Sequence, residues 1–346
     1  MVFEGLRRTR NGDRGAEATP DTSSTPTAVR PTIGLALGGG GARGFAHIGV
    51  IHALLAHGIK PDVIVGTSIG AVVGGCHAAG RLDVIEAWAR GLTRRGLLRY
   101  LDISLSGSGL IGGSKLAARL DDALGDAHIE TLPIRFATIA TEVGTGHEIW
   151  LTRGRVVDAV RASYALPGVF PPVELDGRWL VDGALVNPVP VSAARVFGAR
   201  LVIAVNLNSD ILGRSITVTG ERPAEDVAAP QEEATPALRG LRALFGAERT
   251  VKRQFAGGSS RPGIPTIMAD AFNIMQDRIT RARLAGDPPD VTLNPRLGHV
   301  GWFDFHRADE AIEVGARTTE RALELIDEAI SALSPRPAPV TPAVKL

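Results

Sequence analysis

Two short apolar runs, each entering a glycine-flanked turn, limit most strongly how this chain can fold. Ile33, Leu35 and Leu37 alternate along the first run, which passes directly into GGGGARG, Gly38 to Gly44. A helix is predicted next, with Phe45, Ile48, Ile51, Leu54 and Leu55 on its apolar face and Gly58 stopping it. Pro61 to Val65 is the second run, and it enters GTSIG, Gly66 to Gly70. A strand, helix, strand unit of this kind pairs its strands in parallel.

The same alternation continues downstream. Ile134 to Ala140 and His147 to Leu151 are predicted strands, and Val156 to Ala165 a helix. Two strands follow within Val173 to Val181, around a turn at Asp176 and Gly177; Pro188 to Phe197 is a predicted helix and Leu201 to Val205 a buried strand. The pattern is that of an α/β layered fold with a mostly parallel sheet. Residues 1–30 are rich in Thr, Ser, Pro, Gly and charge, which predicts a disordered tail, and the Pro-rich stretch 334–346 predicts another. The domain therefore spans 31–333, with a mobile loop at 209–236 and a helical C-terminal part at 237–333. Within that part, helices are expected over Ile267 to Leu284 and Asp309 to Leu333. Leu238, Leu241, Leu244 and Phe245 recur beside Arg239, Arg242, Arg249, Lys252 and Arg253, so 238–255 reads as a basic amphipathic helix. Such a helix suits either an anionic membrane surface or a packing or dimer contact.

Charge excludes one class of partner. With a formal net charge of +1, the chain has none of the basic excess of a nucleic-acid binder. Cys76 is the single cysteine, which rules out an internal disulfide framework and a Cys-rich zinc site. Arg7, Arg8, Arg10 and Arg14 have no apolar core behind them, so a secretory signal is not expected and the cytoplasm is the expected compartment. Val63 to Gly80 has no Asp, Glu, Lys or Arg, but its glycines, Ser68 and His77 fit a buried strand, turn and helix better than a membrane span.

The chemistry centres on Ser68. A sharp strand-to-helix turn puts the middle residue of GxSxG on the outside of a strained corner, exposes its hydroxyl and aims helix amides at developing negative charge. Gly39, Gly41 and Gly44 also fit the dinucleotide pattern GxGxxG, yet the second strand runs into Ser68, where a ribose-binding acid would be expected. The glycines better suit an oxyanion hole, with Gly39, Gly40 and Gly41 as donors and Arg43 either orienting the loop or meeting a substrate phosphate. Asp182, in DGALVNPVP after Trp179 to Val181, lies at the carboxyl edge of the sheet and is the candidate base. A triad using His299 or His306 stays open by chain order, while His77 lies half a turn out of phase with Ser68. No cluster has convincing metal-ligand spacing.

In combination and in this order, GGGGARG, GTSIG and DGA resemble the patatin-like phospholipase family. The resemblance runs from Thr32 to Asn208 through these motifs. RASYALPGVFPPV (Arg161 to Val173), IMQDRITRARLAGDPPDV (Ile274 to Val291) and LGHVGWFDFHRA (Leu297 to Ala308) are similar to the bacterial branch related to neuropathy target esterase. It implies a three-layer α/β/α sandwich, a Ser68/Asp182 dyad, and an oxyanion hole from Gly38, Gly39, Gly40 and Gly41. Arg43, Gly44, Gly66, Gly70 and Gly183 support the motifs. The implied reaction is cofactor-free acyl transfer from phospholipid or lysophospholipid esters, at a possible peripheral membrane contact. DGA replaces the DGG of many members, a change within the family pattern. A catalytically silent membrane-associated protein of the same fold is the alternative, and oligomeric state is left open.

Overall fold

The two apolar runs pair side by side. In the computed structural model, which describes residues 30–94, 96, 113–210 and 264–334, β1 (Ile33–Leu37) and β2 (Val63–Thr67) are parallel, with Gly34 opposite Val63 and Leu37 opposite Gly66. The expected tails, most of the 209–236 loop and the basic helix at 238–255 lie outside the described residues.

Six further strands complete the sheet: β3 (Arg135–Glu142), β4 (Glu148–Leu151), β5 (Val173–Leu175), β6 (Arg178–Asp182), β7 (Leu201–Val205) and β8 (Val291–Leu293). Their order is β5-β6-β3-β2-β1-β7-β8, with β4 also on β3. From β3 to β8 every neighbour along this order is parallel; the antiparallel pairings are those of β4, β5 and β6. Asp176 and Gly177 both have positive φ, 52° and 74°, the geometry of a tight hairpin turn between β5 and β6. At three residues, β8 is too short to announce itself by alternation.

Nine described helices cover the two faces: α1 (Ala46–Ala56), α2 (Ile69–Ala78), α3 (Leu82–Arg90), α4 (Ser114–Leu124), α5 (Val156–Tyr164), α6 (Val191–Val196), α7 (Ile264–Gly286), α8 (Ala308–Glu320) and α9 (Leu323–Leu333). Strand alternation divides the core between these faces. Leu35, Leu37, Ile64, Leu201 and Ile203 pack with α1, α2, α5 and α8. On the other face Ala36, Val63, Val65, Val202 and Ala204 pack with α6, and Leu284 of α7 joins them at the margin. The result is the expected three-layer α/β/α arrangement. Each fully buried Leu or Ile in these layers contributes roughly 1.5–3 kcal/mol.

Two helices depart from expectation. The helix expected at Pro188 begins at Val191, because Pro188 and Pro190 lack the amides a helix interior requires, and Pro190 is its N-cap. The helix expected over Asp309 to Leu333 is two helices. At the break the Ala322 amide donates to Thr319 O, and the chain turns from α8, which packs on α1, to α9, which packs on β7 and β8. Helices α1 and α8 touch through their backbones: a Cβ on Gly49 would stand 1.8 Å from Ile312 O, and one on Gly315 would stand 2.0 Å from Ala46 O.

Candidate active site

Strand β2 turns into α2 with one residue between them. That residue is Ser68, at φ 57° and ψ −124°, a conformation that costs a non-glycine residue about 1–3 kcal/mol. The flanking glycines are needed because the helix folds back tightly on the strand. A Cβ on Gly66 would sit 2.5 Å from Ala71 backbone, and one on Gly70 would sit 2.2 Å from Leu37 O. Gly44 is confined in the same way, since its Cβ would sit 2.1 Å from Ile69 Cγ2. The corner is held by hydrogen bonds. Ser68 N–H donates to Ser163 Oγ (2.9 Å), whose hydroxyl donates to Ile139 O (2.6 Å), and Thr67 Oγ1 donates to Asn187 O (2.9 Å). Sequence reasoning did not single out Ser163, although it lies inside RASYALPGVFPPV.

Register explains how Asp182 reaches Ser68 from 114 residues away. On β3, Thr67 at the end of β2 lies opposite Ile139, and Asp182 at the end of β6 lies opposite the next residue, Ala140. The other edge of β3 is taken by β4 over Thr138 to Thr141, so β2 and β6 share one edge and meet head to head. Their ends bring Ser68 Oγ to 2.7 Å from Asp182 Oδ2. Asp182 Oδ1 accepts the Ala184 amide at 2.8 Å, and Thr141 Oγ1 donates to Asp182 O at 2.9 Å. Gly183 is confined by this junction, because a Cβ there would stand 2.2 Å from Ile139 O. Both side chains are buried, Ser68 at 5% exposure and Asp182 at 1%. Burial pushes the Asp182 carboxyl up to about 7, against the Ser68 hydroxyl and Ala184 amide that favour its ionised form.

The glycine loop lies over this pair, and its peptides are individually pinned. Gly38 N–H donates to Val205 O (3.1 Å) and Gly39 N–H to Pro188 O (2.9 Å). Those two amides are thus engaged within the fold. Gly40 and Gly41 amides have no acceptor among the described residues. Gly38 O accepts from His47 Nε2 at 2.8 Å, and Gly40 O from Arg43 Nε at 3.0 Å. In a trans peptide the N–H points opposite the C=O, so Arg43 fixes the direction of the Gly41 amide. Arg43 is buried, lies 5.5 Å from the Trp302 ring centroid and reaches Asn273 Oδ1 at 3.4 Å. Of its two expected roles, these contacts match loop orientation. Burial lowers its pKa to about 10, opposed by the charge of Asp210. His47 is equally buried and is lowered to about 4, against the Gly38 carbonyl contact, so it is a neutral donor beneath the loop.

Neither expected triad histidine joins the pair. His299 bonds Glu310, and His306 accepts from Arg94 Nε at 3.0 Å. Among the described residues no histidine hydrogen-bonds Ser68 or Asp182.

Fold and site together define an α/β/α protein with a serine at a strand-to-helix elbow, a carboxylate against it and a glycine loop above. Residues 35–195 match the family described as patatin-like phospholipase. An uncharacterized NTE family protein of Mycobacterium tuberculosis is 37% identical across 87% of this chain and 96% of its own length. The chain belongs to the patatin-like phospholipase family, within its NTE group. More distant matches include lysophospholipase NTE1 of Coccidioides immitis, 30% identical across 85% of this chain but 18% of that protein. Neuropathy target esterase sws of Drosophila melanogaster is 34% identical across 51% of this chain and 13% of its own length.

Proposed function

We propose that the protein is a serine acyl hydrolase that cleaves ester bonds of phospholipids or lysophospholipids, with Ser68 as nucleophile and Asp182 as base. The observation that carries this reading is the buried 2.7 Å hydrogen bond from Ser68 Oγ to Asp182 Oδ2. As Oγ attacks the ester carbonyl carbon, Asp182 takes its proton; the carbonyl oxygen, now an oxyanion, is met by the Gly40 and Gly41 amides and the N-terminal end of α2. Collapse expels the alcohol, which takes the proton from Asp182. Water then attacks the acyl-serine with Asp182 again as base, releasing fatty acid and restoring Ser68. A carboxylate at its ordinary pKa is a weak base for a serine, and the rise to about 7 brings Asp182 into a useful range.

The lipid character of the substrate is supported by family membership and by the fungal relative, a lysophospholipase, while the fly relative is an esterase. Among the described residues no helix is long and apolar enough to cross a membrane. Peripheral contact is supported instead by α7, where Ile267, Met268, Ile274 and Met275 form one exposed apolar stripe.

The test is hydrolysis of a lysophosphatidylcholine and of a short-chain ester by wild type, Ser68→Ala and Asp182→Asn. Both variants are expected to lose at least about 10³-fold in kcat. Full activity in either removes the dyad, and an inactive wild type on all acyl esters removes the enzyme reading.

A further inference from the structure

Helix α7 places one fully buried amide beside the catalytic pair, and its orientation is fixed by a chain of hydrogen-bonding constraints. Gly39 O can only accept, so the Asn208 side chain must present Nδ2 there, at 3.4 Å. The same Nδ2 lies 2.9 Å from Gln276 Oε1, so Gln276 must present its oxygen to Asn208 and its Nε2 elsewhere. Gln276 is 0% exposed, and Nε2 has no hydrogen-bond partner among the described residues. Nε2 and the reacting serine border the same space beside the loop: Nε2 lies 3.8 Å from where a Gly39 Cβ would stand, and Ser68 Cβ lies 3.4 Å from that same point. A dry donor without an acceptor is disfavoured, and an acceptor oxygen arriving at Ser68 would satisfy it.

We propose that Gln276 is a further catalytic residue, its Nε2 donating a hydrogen bond to an oxygen of the acyl ester as Ser68 attacks it. This deepens the proposed hydrolase reading and rests on it. It also gives a function to the IMQDRITRARLAGDPPDV segment, which supplies Gln276 to a site whose Ser68, Asp182 and glycine loop come from the N-terminal part of the chain.

The experiment follows acylation of the full chain by 4-nitrophenyl butyrate in rapid-mixing kinetics, comparing wild type, Gln276→Met and Gln276→Glu, with folding checked by circular dichroism. Met keeps the volume and removes both polar atoms. Glu keeps an acceptor for Asn208 and removes the donor. Both are expected to slow acylation about 100-fold, the scale for loss of one preorganised donor. A Glu variant with wild-type acylation would overturn the proposal and assign Gln276 to holding the loop through Asn208. Wild-type acylation in the Met variant, or slowing confined to deacylation, would overturn it too. If Met prevents folding, the Glu variant decides alone. A wild type that hydrolyses the ester without acylating Ser68 would overturn both this proposal and the dyad.

Discussion

At the scale of single residues, the candidate site buries a carboxylate whose ionised form would be more stable in water. Asp182 titrates near 3.8 when unfolded and near 7 in the fold. Between those values the folded chain holds a proton that the unfolded chain lacks, so the group's contribution to stability is present at low pH and is lost as pH rises towards about 7. Asp182→Asn removes that dependence. Its melting temperature relative to wild type is expected to climb as pH is raised across this window and to level off above it, in parallel thermal melts. Activity should run the other way: wild-type kcat/KM on a short-chain ester is expected to fall as pH drops below about 7, because the base becomes protonated. A profile flat down to pH 5 would contradict the assignment. Ser163→Ala is expected to cost about 1–3 kcal/mol in urea denaturation, since it leaves the buried Ser68 amide unmatched. Ser68 and Asp182, which the fold brings together, stood out in the sequence because their flanking glycines mark backbone constraint. Ser163, Asn208 and Gln276 did not, because each is placed by a contact with a residue at least 68 positions away.

At the scale of elements, junctions matter more than strands. The parallel core and the elbow followed from alternation and glycine placement, yet two features depended on contacts that alternation cannot encode. Which glycines are free to donate is decided by the carbonyls of Val205 and Pro188, on other elements. Whether Asp182 meets Ser68 is decided by β2 and β6 sharing one edge of β3. The contact between α1 and α8 has similar leverage, because α1 follows the glycine loop directly. Gly315→Ala would drive a Cβ into the Ala46 carbonyl, and a loss of about 1–3 kcal/mol is expected in denaturant unfolding. The same variant is expected to lower kcat more than KM, as a displaced α1 shifts the Gly40 and Gly41 amides proposed to meet the oxyanion.

At the scale of the whole molecule, the two ends of the described fold converge on one site. The N-terminal strands supply Ser68 and the glycine loop, while Asn273 and Trp302 reach Arg43 of that loop from the C-terminal part and Gln276 reaches it through Asn208. That part was legible as helices and as segments similar to the NTE-related branch, but nothing in its periodicity says which face turns inward. Its exposed stripe gives a whole-molecule prediction: Ile274→Asp with Met275→Asp should reduce sedimentation with anionic phospholipid vesicles while leaving short-chain ester hydrolysis near wild type. The most direct test of the central claim is the site and rate of fluorophosphonate labelling, read by peptide mass spectrometry. The expected adduct is on Ser68, forming at least about 10³-fold more slowly in Asp182→Asn. An adduct on another residue, or an undiminished rate in that variant, would contradict the dyad.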